Sequence, residues 1–170
     1  MGLDRLGVDA SKGLDVSLES EGLGISPDLV CTDSDLDIVS ILEMTSSEVL
    51  GGVSIFVGRP RSNGAGSQTL GLFYDVYEEG LRAWLSAAVT KLTALYGAPL
   101  KCIVAQRTGM VPLGEPAVIV ATAAPRRAEA IRSCADLVEG LKYQSPIFKA
   151  ECLENGDRIW VVAGGQLNDA

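Results

Sequence analysis

Gly140-Leu141-Lys142-Tyr143-Gln144-Ser145-Pro146-Ile147-Phe148-Lys149-Ala150-Glu151-Cys152-Leu153-Glu154-Asn155-Gly156-Asp157-Arg158-Ile159-Trp160-Val161-Val162 changes from helix to sheet and then reverses the sheet. Pro146 cannot continue a helix, because it lacks an N–H and its ring collides with the preceding turn. The helical stretch before it, running from Pro125 to about Lys142, must therefore end. Ile147 to Leu153 reads as a strand, with Phe148, Ala150 and Cys152 on an apolar face and Ile147, Lys149 and Glu151 on the other. Asn155-Gly156 is the strong two-residue turn signal, so Arg158 to Val162 returns as the second arm of a hairpin. A helix that feeds a hairpin, not a parallel crossover strand, argues for an α+β domain.

The rest of the chain reads the same way. Lys101 to Gln106 and Ala117 to Ala123 are apolar strands joined by a Gly/Pro turn around Pro112 to Pro116, close enough in sequence for an antiparallel pair. Pro125 then opens the later helix in its first turn, where a missing N–H costs nothing. Before these strands, Leu81, Trp84, Leu85, Ala88, Leu92 and Leu95 recur at helical spacing from Glu78 or Glu79 to Tyr96, and Gly97 with Pro99 stops that helix. Leu70 to Tyr77 alternates as a strand, and Gly51-Gly52 opens another at Val53 to Val57. Between these two lies Gly58 to Ser67, a polar, glycine-rich loop carrying Arg59 and Arg61. Ser34 is expected to cap a short helix over Asp35 to Leu42, and Gly22 to Val30 a first strand. The expected architecture is a mainly antiparallel sheet with helices on one face. It forms a single domain over 22–163, with an acidic flexible tail at 1–21 and a short C-terminal tail at 164–170.

Composition removes several kinds of chemistry. With 170 residues, 47% of them hydrophobic, the chain can bury one good core. No apolar run approaches the ~20 residues of a membrane helix, and the N-terminus has no basic-then-apolar signal pattern, so a cytosolic protein is expected. The net charge of −8 opposes general nucleic-acid binding, which needs excess Lys and Arg. There is no histidine, which excludes a Ser-His-Asp triad, a Cys-His dyad and any histidine-bearing metal site. Cys31, Cys102, Cys134 and Cys152 form no CxxC and read as reduced thiols in or near the core. No metal or cofactor is expected, and acid–base work falls to Lys, Asp, Glu, Tyr or Cys.

The basic residues are few and unevenly placed. Arg59, Arg61, Arg126, Arg127, Lys142 and Lys149 all fall in loops or at element ends, which suits a local pocket for a small anion. On the later helix, Ile131, Cys134, Ala135, Val138 and Leu141 form an apolar stripe. Eleven steps of 100° return Lys142 nearly to the direction of Ile131, so a partly desolvated ammonium is expected there. The ordinary account of Lys142 is a favourable cation at a helix C-terminus, its stem lying over the core. Lys149 equally suits a solvated strand position. Arg127 suits a first-turn arginine, slightly unfavourable against the helix dipole. Arg127 and Lys142 are separated along one helix by about 22 Å at ~1.5 Å per residue. If both serve one small ligand, the arginine must come from a second copy of the chain.

In order, these segments resemble the large, catalytic subunit of molybdopterin synthase. Phe56-Val57-Gly58-Arg59-Pro60-Arg61 is similar to that family's Phe-x-Gly-x-x-Arg, and Leu72-Phe73-Tyr74-Asp75-Val76-Tyr77 to its Leu-x-Tyr-Glu-x-Tyr strand. Gln106-Arg107-Thr108-Gly109 with Gly114-Glu115 resembles its His-Arg-x-Gly segment and Gly-Glu turn. Leu141-Lys142, Pro146-Ile147-Phe148-Lys149, Glu151 and Gly156-Asp157-Arg158-Ile159-Trp160-Val161 complete the match. Arg126 stands where the family has a histidine, Gln106 where it has another, and Ala150 where it has Lys or Arg.

The resemblance implies an α/β-hammerhead fold and a sulfurtransferase of molybdenum cofactor biosynthesis. Two sulfurs are inserted into cyclic pyranopterin monophosphate to form the molybdopterin dithiolene. The sulfur arrives as a thiocarboxylate on the C-terminal Gly-Gly of a small ubiquitin-like carrier, and the large subunit forms a homodimer within a heterotetramer. Lys142 and Lys149 are then the expected catalytic residues. Arg59, Arg61, Arg126, Arg127, Lys142, Lys149, Ala150 and Glu151 are the expected substrate-binding positions. The alternative is a diverged, non-catalytic module that still docks the carrier, suggested by the replacements at Arg126, Gln106 and Ala150.

Overall fold

The computed structural model describes residues 27–62, 68–162 and 165–166. The expected tail at 1–21, the start of the expected first strand at 22–26 and the loop centre at 63–67 lie outside the described residues. Strands β1 (Asp28–Thr32), β2 (Gly52–Gly58), β4 (Lys101–Arg107) and β6 (Val118–Ala124) form one sheet in the order β1-β4-β6-β2. Strands β3 (Thr69–Val76), β5 (Gly109–Pro112), β7 (Ile147–Leu153), β8 (Arg158–Val162) and β9 (Gly165–Gln166) form a second, ordered β5-β3-β7-β8-β9. Helices α1 (Ile38–Met44), α2 (Glu78–Tyr96) and α3 (Arg127–Gln144) complete the fold. Among the described residues, only the β1–β4 pair is parallel. The α+β class and antiparallel bias therefore hold, but the single expected sheet is two.

The first sheet is covered on both faces. Leu81, Leu85 and Leu92 of α2 and Leu137 and Leu141 of α3 pack with Cys102, Val104 and Val120. On the other face, Ile41 of α1 packs with Ile103, Ala105, Ile119 and Ala121. Strands buried on both sides lose hydrophobic alternation and become continuous apolar runs, which is how β4 and β6 read in the sequence. Each fully buried leucine contributes about 1.5–3 kcal/mol, so this layer dominates stability. Among the described residues, no helix is long and apolar enough to cross a membrane.

Several boundaries differ from expectation. Asp37, not Ser34, caps α1: its carboxylate accepts from the Val39 N–H at 2.9 Å and the Ser40 hydroxyl at 2.6 Å. These bonds hold the Asp37 carboxyl below its usual range. The Ser34 hydroxyl is engaged with Asp33 instead. Among the described residues the first strand runs over 28–32, two residues past its expected end at Val30, with a register on β4 from Asp28 opposite Ile103 to Thr32 opposite Arg107. Pro125 precedes the Arg126 N-cap and so stands outside the first turn of α3. β4 and β6 pair antiparallel as expected, but their connection holds β5 ahead of the turn at Pro112 to Pro116, and β5 pairs with β3 of the second sheet. Residues 165–166 of the expected C-terminal tail pair with β8.

Candidate functional site

Helix α3 sets the geometry. It starts where β2 starts: a Cβ on Gly52 would lie 2.9 Å from the Arg127 nitrogen, so glycine lets the Arg126-Arg127 peptide rest on the strand. The helix then passes along β2, with Ile131, Cys134, Ala135 and Val138 facing Ser54, Ile55 and Phe56 across a cavity of about 370 Å³. Its C-terminus, carrying Lys142, therefore lies toward the Gly58 end of β2, where Arg59 and Arg61 follow. Arg126 and Arg127, both exposed, sit at the opposite end. One chain thus separates its cations into two groups about 22 Å apart, at ~1.5 Å per helical residue.

The arginine loop is anchored by its backbone. The Gly58 carbonyl accepts from the Ala117 N–H and the Pro60 carbonyl from the Gly114 N–H, each at 2.9 Å. Pro60 is buried between Arg59 and Arg61, and both arginine side chains are exposed.

Lys142 corrects the helical-wheel expectation. The buried face of α3 is Ala130, Ser133, Cys134, Leu137 and Leu141, while Ile131 is 59% exposed. The stripe is rotated from the one read in sequence, because the sheet beneath, not the apolar count alone, selects the buried face. Lys142 is consequently exposed, its Nζ 4.8 Å from the centroid of the Tyr143 ring. Hydrogen bonding with Tyr143, helped by the charges of Tyr143 and Glu139, holds its ammonium above the usual lysine range instead of below it.

In the second sheet, Lys149 is paired with Tyr74 on β3 and Val161 on β8, and Glu151 with Leu72 and Ile159. Lys149 and Glu151 share this face and are both half-buried. The Thr69 hydroxyl hydrogen-bonds to Glu151 Oε2 at 3.2 Å. Burial pushes the Tyr74 phenol up to about 12, so it stays protonated at neutral pH. Ala150 does not join them: it is fully buried on the opposite face, between its partners Phe73 and Trp160. The same face holds the Arg158 guanidinium 4.1 Å from the Phe73 ring centroid. Phe148, expected in the core on that side, is 55% exposed.

Thr69 and Tyr74 are the site neighbours that strand periodicity did not single out. Tyr74 is legible only once its partner is known to be Lys149. Thr69 is hidden by a shift of register between Thr69 and Gly71. Gln106 has a structural role: it is 2% exposed, and its Nε2 donates to the carbonyls of Arg107 at 2.9 Å and Ala117 at 3.1 Å. Arg107 pairs with Glu115 at 2.7 Å and Asp35 at 2.8 Å, tying the end of β4 to two loops.

The family described as MoaE protein matches residues 31–144. Molybdopterin synthase catalytic subunit 1 of Mycobacterium tuberculosis is 33% identical over 138 residues, covering 81% of this chain and 92% of that protein. The molybdopterin synthase catalytic subunit of Drosophila grimshawi is 36% identical over 123 residues, 72% of this chain. The chain spans only about a third of the length of that relative, 34%. Among solved structures, molybdopterin synthase from Staphylococcus aureus aligns with a TM-score of 0.70 at 24% identity, over 79% of this chain and 96% of that one. A complex of subunits 1 and 2 of molybdopterin-converting factor from Helicobacter pylori aligns at 0.65 and 24%, over 82% and 92%. Both structures share the overall fold of this chain. Because the family match spans most of its residues and a bacterial relative is covered almost end to end, the chain belongs to the MoaE protein family.

Proposed function

We propose that this chain is the catalytic subunit of a molybdopterin synthase, a cytosolic sulfurtransferase acting on cyclic pyranopterin monophosphate. Its partner is a small ubiquitin-like carrier ending in a Gly-Gly thiocarboxylate, and two copies of the chain form the centre of a heterotetramer. Each transfer forms a C–S bond at a side-chain carbon of the precursor as the C–O bond there breaks, its oxygen leaving with the phosphate or as water. Water then cleaves the acyl–sulfur bond and returns the carrier terminus as a carboxylate. The domain responsible runs over 22–163.

The observation that carries this reading is the division of cations along α3. An anionic precursor and an anionic carrier tail need convergent positive charge, yet Arg126-Arg127 and Lys142 stand at opposite ends of one helix. A site assembled from Lys142, Lys149, Arg59 and Arg61 of one copy and Arg126-Arg127 of its neighbour resolves the separation. In it the arginines hold the phosphate. Lys142, with its proton held more tightly than usual, acts as a hydrogen-bond donor to the thiocarboxylate carbonyl as charge develops on oxygen, not as a base. Lys149 and Glu151 orient the precursor and the incoming tail.

The docking-module reading draws on the same departures from the family pattern, and two of them weaken it. Gln106 is used in the fold, and Arg126 retains a cation able to bind phosphate. The deciding experiment mixes the purified chain with thiocarboxylated carrier and pterin precursor. Dithiolene product is expected; carrier binding without product would establish the docking module instead. Sedimentation of the active species should give a dimer of this chain, and full activity from a monomer would overturn the shared site.

A further inference from the structure

The bulge at the start of β3 has a chemical consequence. Strict alternation would put Thr69 on the face of Gly71, Phe73 and Ala150, away from Glu151. The register instead pairs Thr69 with Leu153 and Gly71 with Cys152, so one residue, Leu70, is left over and turned outward, 50% exposed. An extra residue of this kind re-aims the side chain before it. Thr69 is thereby turned in, 8% exposed, with its hydroxyl 3.2 Å from Glu151 Oε2.

Glu151 and Lys149 are two positions apart on one face of β7, about 6.6 Å at ~3.3 Å per residue and within side-chain reach of each other. Lys149 nevertheless forms no ion pair among the described residues. Among the described residues, the partners of this face offer no negative charge beside Lys149: Tyr74 across on β3 is a protonated phenol, and β8 presents Ile159 and Val161. Glu151 is the carboxylate that could neutralise it.

We propose that Thr69 is a positioning residue. Its hydroxyl holds the Glu151 carboxylate toward the Leu153 end of the strand, keeping Lys149 open to an anionic ligand. With the proposed function, that ligand is the phosphate-bearing precursor or the carrier tail.

The test uses Thr69→Val, which keeps the shape and removes the donor, Thr69→Ser, which keeps the donor, and Thr69→Val with Glu151→Gln. In the crystal structure of Thr69→Val, the Glu151 carboxylate should swing to within about 4 Å of the Lys149 ammonium. In Thr69→Ser it should stay where it is in the parent. In the sulfur-transfer assay, Thr69→Val should raise the KM for the precursor roughly tenfold, the weight of one charge-assisted contact, with kcat within about twofold. Thr69→Ser should restore the parent KM, and Thr69→Val should add nothing once Glu151 is glutamine. An unmoved carboxylate in Thr69→Val, or a KM that serine does not rescue, overturns the role of Thr69. If Thr69→Val does not fold, Thr69→Ala is read by the same criteria. A parent chain that makes no product removes the proposed function alone, because the position of Glu151 still decides the role of Thr69.

Discussion

In the four-stranded sheet, Ile103, Val104, Ile119 and Val120 are all fully buried, whereas in the five-stranded sheet Phe148, Ile159 and Trp160 are each close to half exposed. The first sheet lies between α1 on one face and α2 with α3 on the other. The second carries Lys149 and Glu151 on one face and Phe73, Ala150 and Trp160 on the other, and the helices pack chiefly elsewhere. From α3 the chain enters the second sheet over Ser145 and Pro146, three residues after Lys142. The lesson is a division of labour with a physical cause. A closed sheet can be made of apolar residues and holds its shape. A half-open sheet can keep charged groups hydrated until a ligand or partner covers them, and exposed apolar surface next to such charges marks a place of contact.

If that division is right, substitutions in the two regions should fail in different assays. The largest effect belongs to the closed region: Leu137→Ala should cost about 2–5 kcal/mol of stability, since it leaves a cavity beneath α3. Denaturant unfolding measures this, and the KM of the surviving folded protein should be unchanged. A loss below about 1 kcal/mol would mean that the helix is not held as described. Next is Lys142→Ala, which should lower product formation by roughly 10²–10³-fold, the usual loss when a donor to a developing oxyanion is removed. Being exposed, Lys142 should contribute less than about 0.5 kcal/mol to folding. Carrier docking, followed by calorimetry, should persist, and near-normal turnover would remove Lys142 from the chemistry.

Lys149→Ala should give a smaller, incomplete loss of roughly 10–100-fold, again with the unfolding midpoint little changed. Equal losses of stability and activity there would erase the contrast between the sheets. Arg127→Ala should show a defect of similar size confined to binding, the precursor held more weakly by about 1.5–3 kcal/mol, the value of a hydrogen bond to a charged group. Mixing Arg127→Ala with Lys142→Ala subunits sharpens this further. A site shared between copies regains activity in the mixed dimer, because one of its two sites then has both residues intact. A site confined to one chain regains none.

Sequence determined a great deal of this protein, wherever the signal is local. Pro146 ends α3, Gly97 at a φ of +59° ends α2, and the turn at Asn155-Gly156, with Gly156 at +91°, sets the hairpin β7–β8. Each is a steric fact about one or two residues. The parity of β7 likewise put Lys149 and Glu151 together and Ala150 opposite them before any partner strand was known. The length of α3 alone required that Arg127 and Lys142 be far apart. Tertiary structure decided what depends on a neighbour. The buried face of α3 is chosen by the sheet under it, which left Ile131 and Lys142 in water although an apolar stripe pointed them inward. The split into two sheets depends on β5 leaving β4 to pair with β3, and four residues containing glycine and proline carry no local mark of that partner. Thr69 reaches Glu151 through a one-residue shift of register, an offset fixed by the packing of β3 against β7 and invisible to strand periodicity.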